Sequence, residues 1–123
     1  MSIAIGEDHL ALLAVARRFT AERCPPAVAR AALDAADDGE ARPPFWDELA
    51  RSGWLGLAVP EDGGGQGAGY LGLAVVLEEL GRVVAPGPML PTAWAAGVMD
   101  TEPRLRADLA AGRAVGAVAL DGA

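Results

Sequence analysis

Phe45-Trp46-Asp47-Glu48-Leu49-Ala50-Arg51-Ser52-Gly53-Trp54-Leu55-Gly56-Leu57-Ala58-Val59-Pro60 runs into Glu61-Asp62-Gly63-Gly64-Gly65-Gln66-Gly67-Ala68-Gly69. Tyr70-Leu71-Gly72-Leu73-Ala74-Val75-Val76-Leu77-Glu78-Glu79-Leu80-Gly81-Arg82 follows, and the order of these pieces decides the fold. Pro43-Pro44 opens a helix with Trp46, Leu49 and Ala50 inward and Asp47, Glu48 and Arg51 outward, stopped by Gly53 in the left-handed region. Trp54 to Val59 reads as an extended apolar crossing closed by Pro60. A glycine-dense loop then leads to a helix over about residues 70–84, with Leu73, Val76, Leu77, Leu80 and Val84 on one face. Glu78 and Arg82 are spaced as an exposed i, i+4 pair, and Glu79 reads as exposed too, with a packing or end-capping role.

Upstream, Leu12, Val15, Ala16 and Phe19 form one stripe of a helix over about residues 7–23, acidic at its start and basic toward its end. Pro25-Pro26 ends it and opens a second helix over about residues 27–36, before the solvated acidic loop Asp37-Asp38-Gly39-Glu40. Downstream of the Ala85-Pro86-Gly87-Pro88 breaker, an uncharged helix from about Leu90 to Met99 should be buried on most sides. A last helix, Pro103 to Ala111, is capped by Asp100 or Thr101, turns Leu105 and Leu109 inward and stops at Gly112. Ala114 to Leu120 reads as a short buried strand. The expected fold class is therefore all-α: a bundle of roughly six helices with one orphan strand. That strand has no upstream partner, so Val115 to Leu120 should fray or pair with another edge, and the sheet it enters is expected beyond Ala123.

Composition removes several function classes. The net charge is −7, lysine is absent and the basic residues are scattered arginines, which argues against nucleic acid. No apolar run reaches membrane-spanning length and the N-terminus lacks a signal-peptide pattern, so the expected location is cytoplasmic. Lone Cys24 reads as an inert structural thiol, and lone His9 gives no zinc site. Gly67-Ala68-Gly69-Tyr70-Leu71-Gly72 spells the dinucleotide fingerprint, but no strand runs into Gly67 and no acidic residue follows about twenty positions on.

Four ordered elements carry a resemblance: Gly53-Trp54-Leu55-Gly56-Leu57, Val59-Pro60-Glu61, Gly64-Gly65-Gln66-Gly67 and Glu78-Glu79-Leu80-Gly81. Together they resemble the N-terminal helical domain of the acyl-CoA dehydrogenases. The resemblance extends over nearly the whole chain but about a third of a complete family member. It implies a helical domain over residues 1–112 and the start of a middle β domain over 113–123. It also implies the family's chemistry: removal of the α proton of an acyl-CoA thioester by a glutamate and of the β hydride by FAD. That glutamate belongs to a C-terminal domain, so no catalytic residue is carried over to this chain, which is expected to be inactive and to bind no flavin tightly by itself.

Two sets of site residues follow from the resemblance. Met89, Leu90 and Thr92 are the candidates for the far end of the acyl pocket. Leu120 and Asp121 are those that approach the flavin, although Asp121-Gly122-Ala123 stands where the family commonly has Thr-Glu-Pro. The segment from Val84 to Thr92 is similar to actinobacterial members that act as paired, unequal subunits on bulky acyl groups, in fatty acid or steroid side-chain metabolism. The implied partners are an acyl-CoA and related subunits in a homo- or hetero-oligomer. The alternatives are a non-catalytic helical partner of an active subunit, and a flavin-dependent monooxygenase of the same fold.

Overall fold

The computed structural model describes residues 5–35 and 42–121, all helical or irregular. The helices are α1 (Glu7–Arg23), α2 (Pro26–Asp34), α3 (Trp46–Arg51), α4 (Gly69–Arg82), α5 (Met89–Val98) and α6 (Pro103–Ala110). Short 3-10 turns occupy Trp54–Gly56 and Glu61–Gly63. The all-α class and the six helices agree with the sequence reading. The acidic loop Asp37–Glu40 lies outside the described residues.

The chain divides into two compact units, residues 1–39 with Ala74–Pro86, and residues 40–73 with Gly87 onward. In the first, α1 starts with the Gly6 N–H donated to His9 Nδ1 at 3.1 Å, which gives the lone histidine a capping role. Ala16, Phe19 and Thr20 are the buried face of α1, whereas Val15 is 52% exposed and leaves the expected stripe. Three and four residues on from Ala16 fall Phe19 and Thr20, one turn further along the same face. Pro26, at the first position of α2, has no amide to lose there.

The second unit is built on close backbone approach. Gly53, at φ 79°, ends α3 in the left-handed region, where a side chain would be strained. Trp46, 2% exposed, donates its indole N–H to the Gly112 carbonyl at 2.9 Å and ties α3 to the end of α6. The crossing after Gly53 is buried as expected but not extended. Trp54–Gly56 coils as a 3-10 turn, with Leu57 N–H on the Trp54 carbonyl and Val59 N–H on the Gly56 carbonyl. This compact path lets the glycine loop fold back along it: Gln66, Gly67 and Ala68 donate to the carbonyls of Gly56, Val59 and Leu57.

Val59, Ala95, Ala96, Leu109 and Ala110 form one apolar cluster of this unit, with Ala114 and Val118 packed against it. The expected strand over Ala114 to Leu120 is not formed: no strand occurs among the described residues. Burial alternates along it nonetheless: residues 114, 116 and 118 are half-buried while 113, 115, 117 and 119 are exposed. Leu105 is 42% exposed rather than inward, and α6 begins at N-cap Glu102 without a side-chain cap instead of at Asp100 or Thr101.

Candidate functional site

Glu79 is where the structure departs furthest from the sequence reading. It is 3% exposed, not a surface residue. Its Oε1 accepts from Arg17 Nε of α1 at 3.2 Å, and its Oε2 accepts from Arg82 Nε at 3.1 Å. The ion pair within α4 is therefore Glu79–Arg82 at i, i+3, replacing the expected Glu78–Arg82 pair; Glu78 stays exposed. Burial alone would push the Glu79 carboxyl up. The hydrogen bonds and charges of Arg17 and Arg82 outweigh it and hold the carboxyl below the ordinary carboxylate value. A carboxylate kept ionised by two cations is a poor proton-abstracting base, so Glu79 is a fastener between α1 and α4.

Its sequence signal was its position. Glu79 is four residues after Val75 and three after Val76, on the apolar face of α4, with Arg82 one turn later. Arg17, sixty-two positions away, could not be paired with it from spacing.

Cys24 is 4% exposed, and burial pushes its thiol pKa up, the behaviour of a structural thiol. No cluster of metal-ligating side chains occurs among the described residues.

The candidate acyl-site residues divide by face. Met89 and Thr92, three apart on α5, are 6% and 0% exposed, while Leu90 is 55% exposed. Thr92 Oγ1 accepts the Gly116 amide at 3.2 Å and so pins the segment after α6. Leu90, Trp94 and Val98 repeat at i, i+4 and i+8 along the outward face, 55%, 36% and 50% exposed. Of the three candidates, Leu90 alone presents its side chain outward.

Leu120 is 77% exposed and Asp121 is exposed, while Gly122 and Ala123 lie outside the described residues. Two exposed residues make no flavin site by themselves. The glycine loop does not supply one either: the amides of Gly63, Gly64, Gly65, Gln66, Gly67 and Ala68 are all donated to carbonyls of residues 56–61. A pyrophosphate finds no free row of loop donors there. The described residues therefore do not fit the cofactor alone.

Residues 6–101 match the family described as acyl-CoA dehydrogenase, N-terminal domain. The chain belongs to the acyl-CoA dehydrogenase family and carries its N-terminal helical domain. Acyl-CoA dehydrogenase FadE34 of Mycobacterium tuberculosis is 42% identical over 79 residues, 64% of this chain and 11% of that protein. Acyl-CoA dehydrogenase IpdE2 of the same organism is 34% identical over 120 residues, 94% of this chain and 37% of that protein. A solved structure of a variant of the steroid ACAD Tcur3481-Tcur3483 superposes with a TM-score of 0.72 at 35% identity, covering 89% of this chain and 31% of its own. The chain thus spans well under half the length of each of these relatives. No helix among the described residues is long and apolar enough to cross a membrane.

Proposed function

We propose that this chain is the non-catalytic helical part of an FAD-dependent acyl-CoA dehydrogenase that oxidises bulky acyl-CoA thioesters across the α and β carbons. The observation that carries the reading is the 35% identity, over 89% of the chain, to a structure described as a steroid ACAD. The base and the flavin cradle come from the rest of the complete protein or complex, an oligomer of related subunits in the cytoplasm. Residues 113–123 open its middle β domain, with Leu120 and Asp121 running toward the flavin. The FAD supplies the hydride acceptor when bound. The part of this chain is to shape the apolar end of the acyl site, with Leu90 in contact and Met89 and Thr92 fixing its position from beneath. Reading the chain as part of a non-catalytic partner subunit draws support from Asp121, which stands where the family pattern has a hydroxyl.

The test is made on the complete protein, followed by product analysis for the 2-enoyl thioester over a series of linear and ring-bearing acyl-CoAs. Leu90→Trp should shift the ratio of kcat/KM values between bulky and linear substrates at least tenfold, since one misfitted methylene costs roughly 1–3 kcal/mol. Equal losses on every substrate would leave Leu90 a packing residue. No enoyl product from any acyl-CoA would overturn the dehydrogenase reading.

A further inference from the structure

Helix α5 is composed for more cover than the fold gives it. An uncharged helix is expected to be buried on most sides, and Met89, Thr92, Ala93, Ala95 and Ala96 are buried. The outer face is not: Leu90, Trp94 and Val98 stand 55%, 36% and 50% exposed. Tyr70 of α4 extends this face. Its hydroxyl lies 3.0 Å from the point where a Cβ on Gly97 would sit, so the ring is laid against α5 while remaining 57% exposed. Two aromatic and two aliphatic side chains thus form one bare strip. Trp and Tyr are the residue types that dominate binding energy at protein interfaces, and a ring already held in place loses little freedom on binding.

Charge decides what can cover the strip. No charged residue occurs from Val83 to Met99, in a chain that is 22% charged and carries a net charge of −7. A basic partner is recognised by carboxylates and an anionic ligand by arginines, and α5 offers neither. A membrane surface does not fit either, because an interfacial helix carries Lys or Arg beside its apolar face. A second copy of the chain is repelled by net charge on approach, but at this strip it meets no like charge.

The spacing is also self-complementary. Leu90, Trp94 and Val98 fall at equal four-residue steps with the largest side chain in the middle, so a two-fold axis through Trp94 maps the strip onto itself. Rows of this i, i+4, i+8 kind interdigitate when two helices cross at roughly −50°. In the antiparallel arrangement the two Trp94 rings meet at the axis, and Leu90 faces Val98 of the second copy.

We propose that the outer face of α5, with Tyr70, is a two-fold interface between two copies of this chain, antiparallel and centred on Trp94. The proposal goes beyond the acyl-site reading and shares only Leu90 with it. The crossing helices diverge toward Leu90, which keeps its outer side for the acyl group while Val98 of the second copy stands beside it.

Disulfide trapping in the complete protein, with no substrate present, tests the arrangement. Trp94→Cys places one thiol per copy at the axis, and mild oxidation should give a cross-linked dimer that the parent does not form. Chains carrying Leu90→Cys mixed with chains carrying Val98→Cys should cross-link at least tenfold more than either alone, because the antiparallel register brings those two positions together. Arg51→Cys, exposed on α3, should give no dimer. Val98→Asp, at a half-exposed position, sets a carboxylate on each side of the interface and should cut the Trp94→Cys cross-link at least tenfold without lowering the melting temperature. A water-soluble maleimide separates the other occupants: labelling of the Trp94→Cys variant should slow as protein concentration rises. Protection at every concentration would mean that another segment or a different partner covers the face, and free labelling without cross-linking would mean that nothing does. Either result overturns the proposal, as does cross-linking of Leu90→Cys with itself in preference to Val98→Cys. Trapping needs no turnover, so the acyl-CoA reading stands or falls separately.

Discussion

The two units solve the same problem, holding helices in place, by opposite means. The second spends its glycines on close approach: the Trp46 indole reaches the Gly112 carbonyl, and the glycine loop lies along the crossing of residues 56–59 by main-chain hydrogen bonds. The first has a buried carboxylate held by two arginines that are themselves 62% and 58% exposed, a left-handed valine and a helix with nothing buried. Backbone contacts are short-range and unforgiving of added atoms. A half-exposed ion-pair network is softer, because water shares the work of solvating the arginines. The second unit is thus held by close main-chain contacts, and the first by an ion-pair network that is half open to water.

The largest effect should come from adding one methyl group to the scaffold. In Gly65→Ala the new Cβ falls on the Val59 carbonyl oxygen, with the Val59 carbonyl carbon 2.6 Å away. Neither is a flexible side-chain end, so the loop must shift and its hydrogen bonds to Pro60, Gly56 and Val59 are strained. The expected cost is about 3 kcal/mol, read as a lowered denaturant midpoint. A loss below about 0.5 kcal/mol, the range of ordinary surface changes, would show that the loop is loose and the contrast between the units unfounded.

How far the sequence carried this picture depends on the range of each interaction. Gly53 and Gly112 were readable as stops, and the family pattern of residues 53–81 was readable as a whole, because these signals are local. The apolar run from Trp54 to Val59 has no period of its own and so does not reveal its conformation; the glycine loop that fits along it favours a coiled path. Val84 continues the apolar stripe of α4 in sequence, but the helix ends at Arg82 and the left-handed turn throws it out. Glu79 carries a charge that predicts exposure at a position on the apolar face, and its partner on α1 is a tertiary fact. Met89, Leu90 and Thr92 are candidates by resemblance alone, and that resemblance carries no information on which of the three α5 turns outward, Leu90.

The contrast sharpens at Glu79. Glu79→Gln keeps the shape and removes the charge, leaving two arginines that can turn to water, so the expected loss is about 2 kcal/mol rather than the larger cost of stranding a fully buried ion. Glu78→Gln, on the exposed side, should cost less than about 0.5 kcal/mol. The pH dependence has a definite sign. The folded Glu79 pKa lies below its unfolded value, so its contribution is present above the ordinary carboxylate range and is lost as pH falls through the folded pKa. Acid unfolding curves should therefore lose more stability across that window for the parent chain than for Glu79→Gln. Parallel curves would mean that the carboxylate is not preferentially ionised in the fold.

The smallest effect concerns how the second unit holds residues 113–119. They form no ladder, yet residues 114, 116 and 118 face inward, and a side-chain bond fixes their register: Gly116 N–H on Thr92 Oγ1. Thr92→Val preserves the branched shape at a position with 0% exposure while removing the acceptor. The half-buried Gly116 amide can regain water only if the segment lifts, so the expected cost is about 1 kcal/mol, near the value of one ordinary hydrogen bond. Local exchange is the more telling measurement. If Thr92 is the pin, the Gly116 amide should exchange roughly fivefold to tenfold faster in the variant, the ratio that about 1 kcal/mol of local opening implies, while amides in the middle of α5 keep their protection. A uniform rise across α5 and α6 would place Thr92 in the core rather than at the pin. No change at Gly116 would mean that the packing of Ala114 and Val118 alone holds the segment, and that Thr92 is free to take another role.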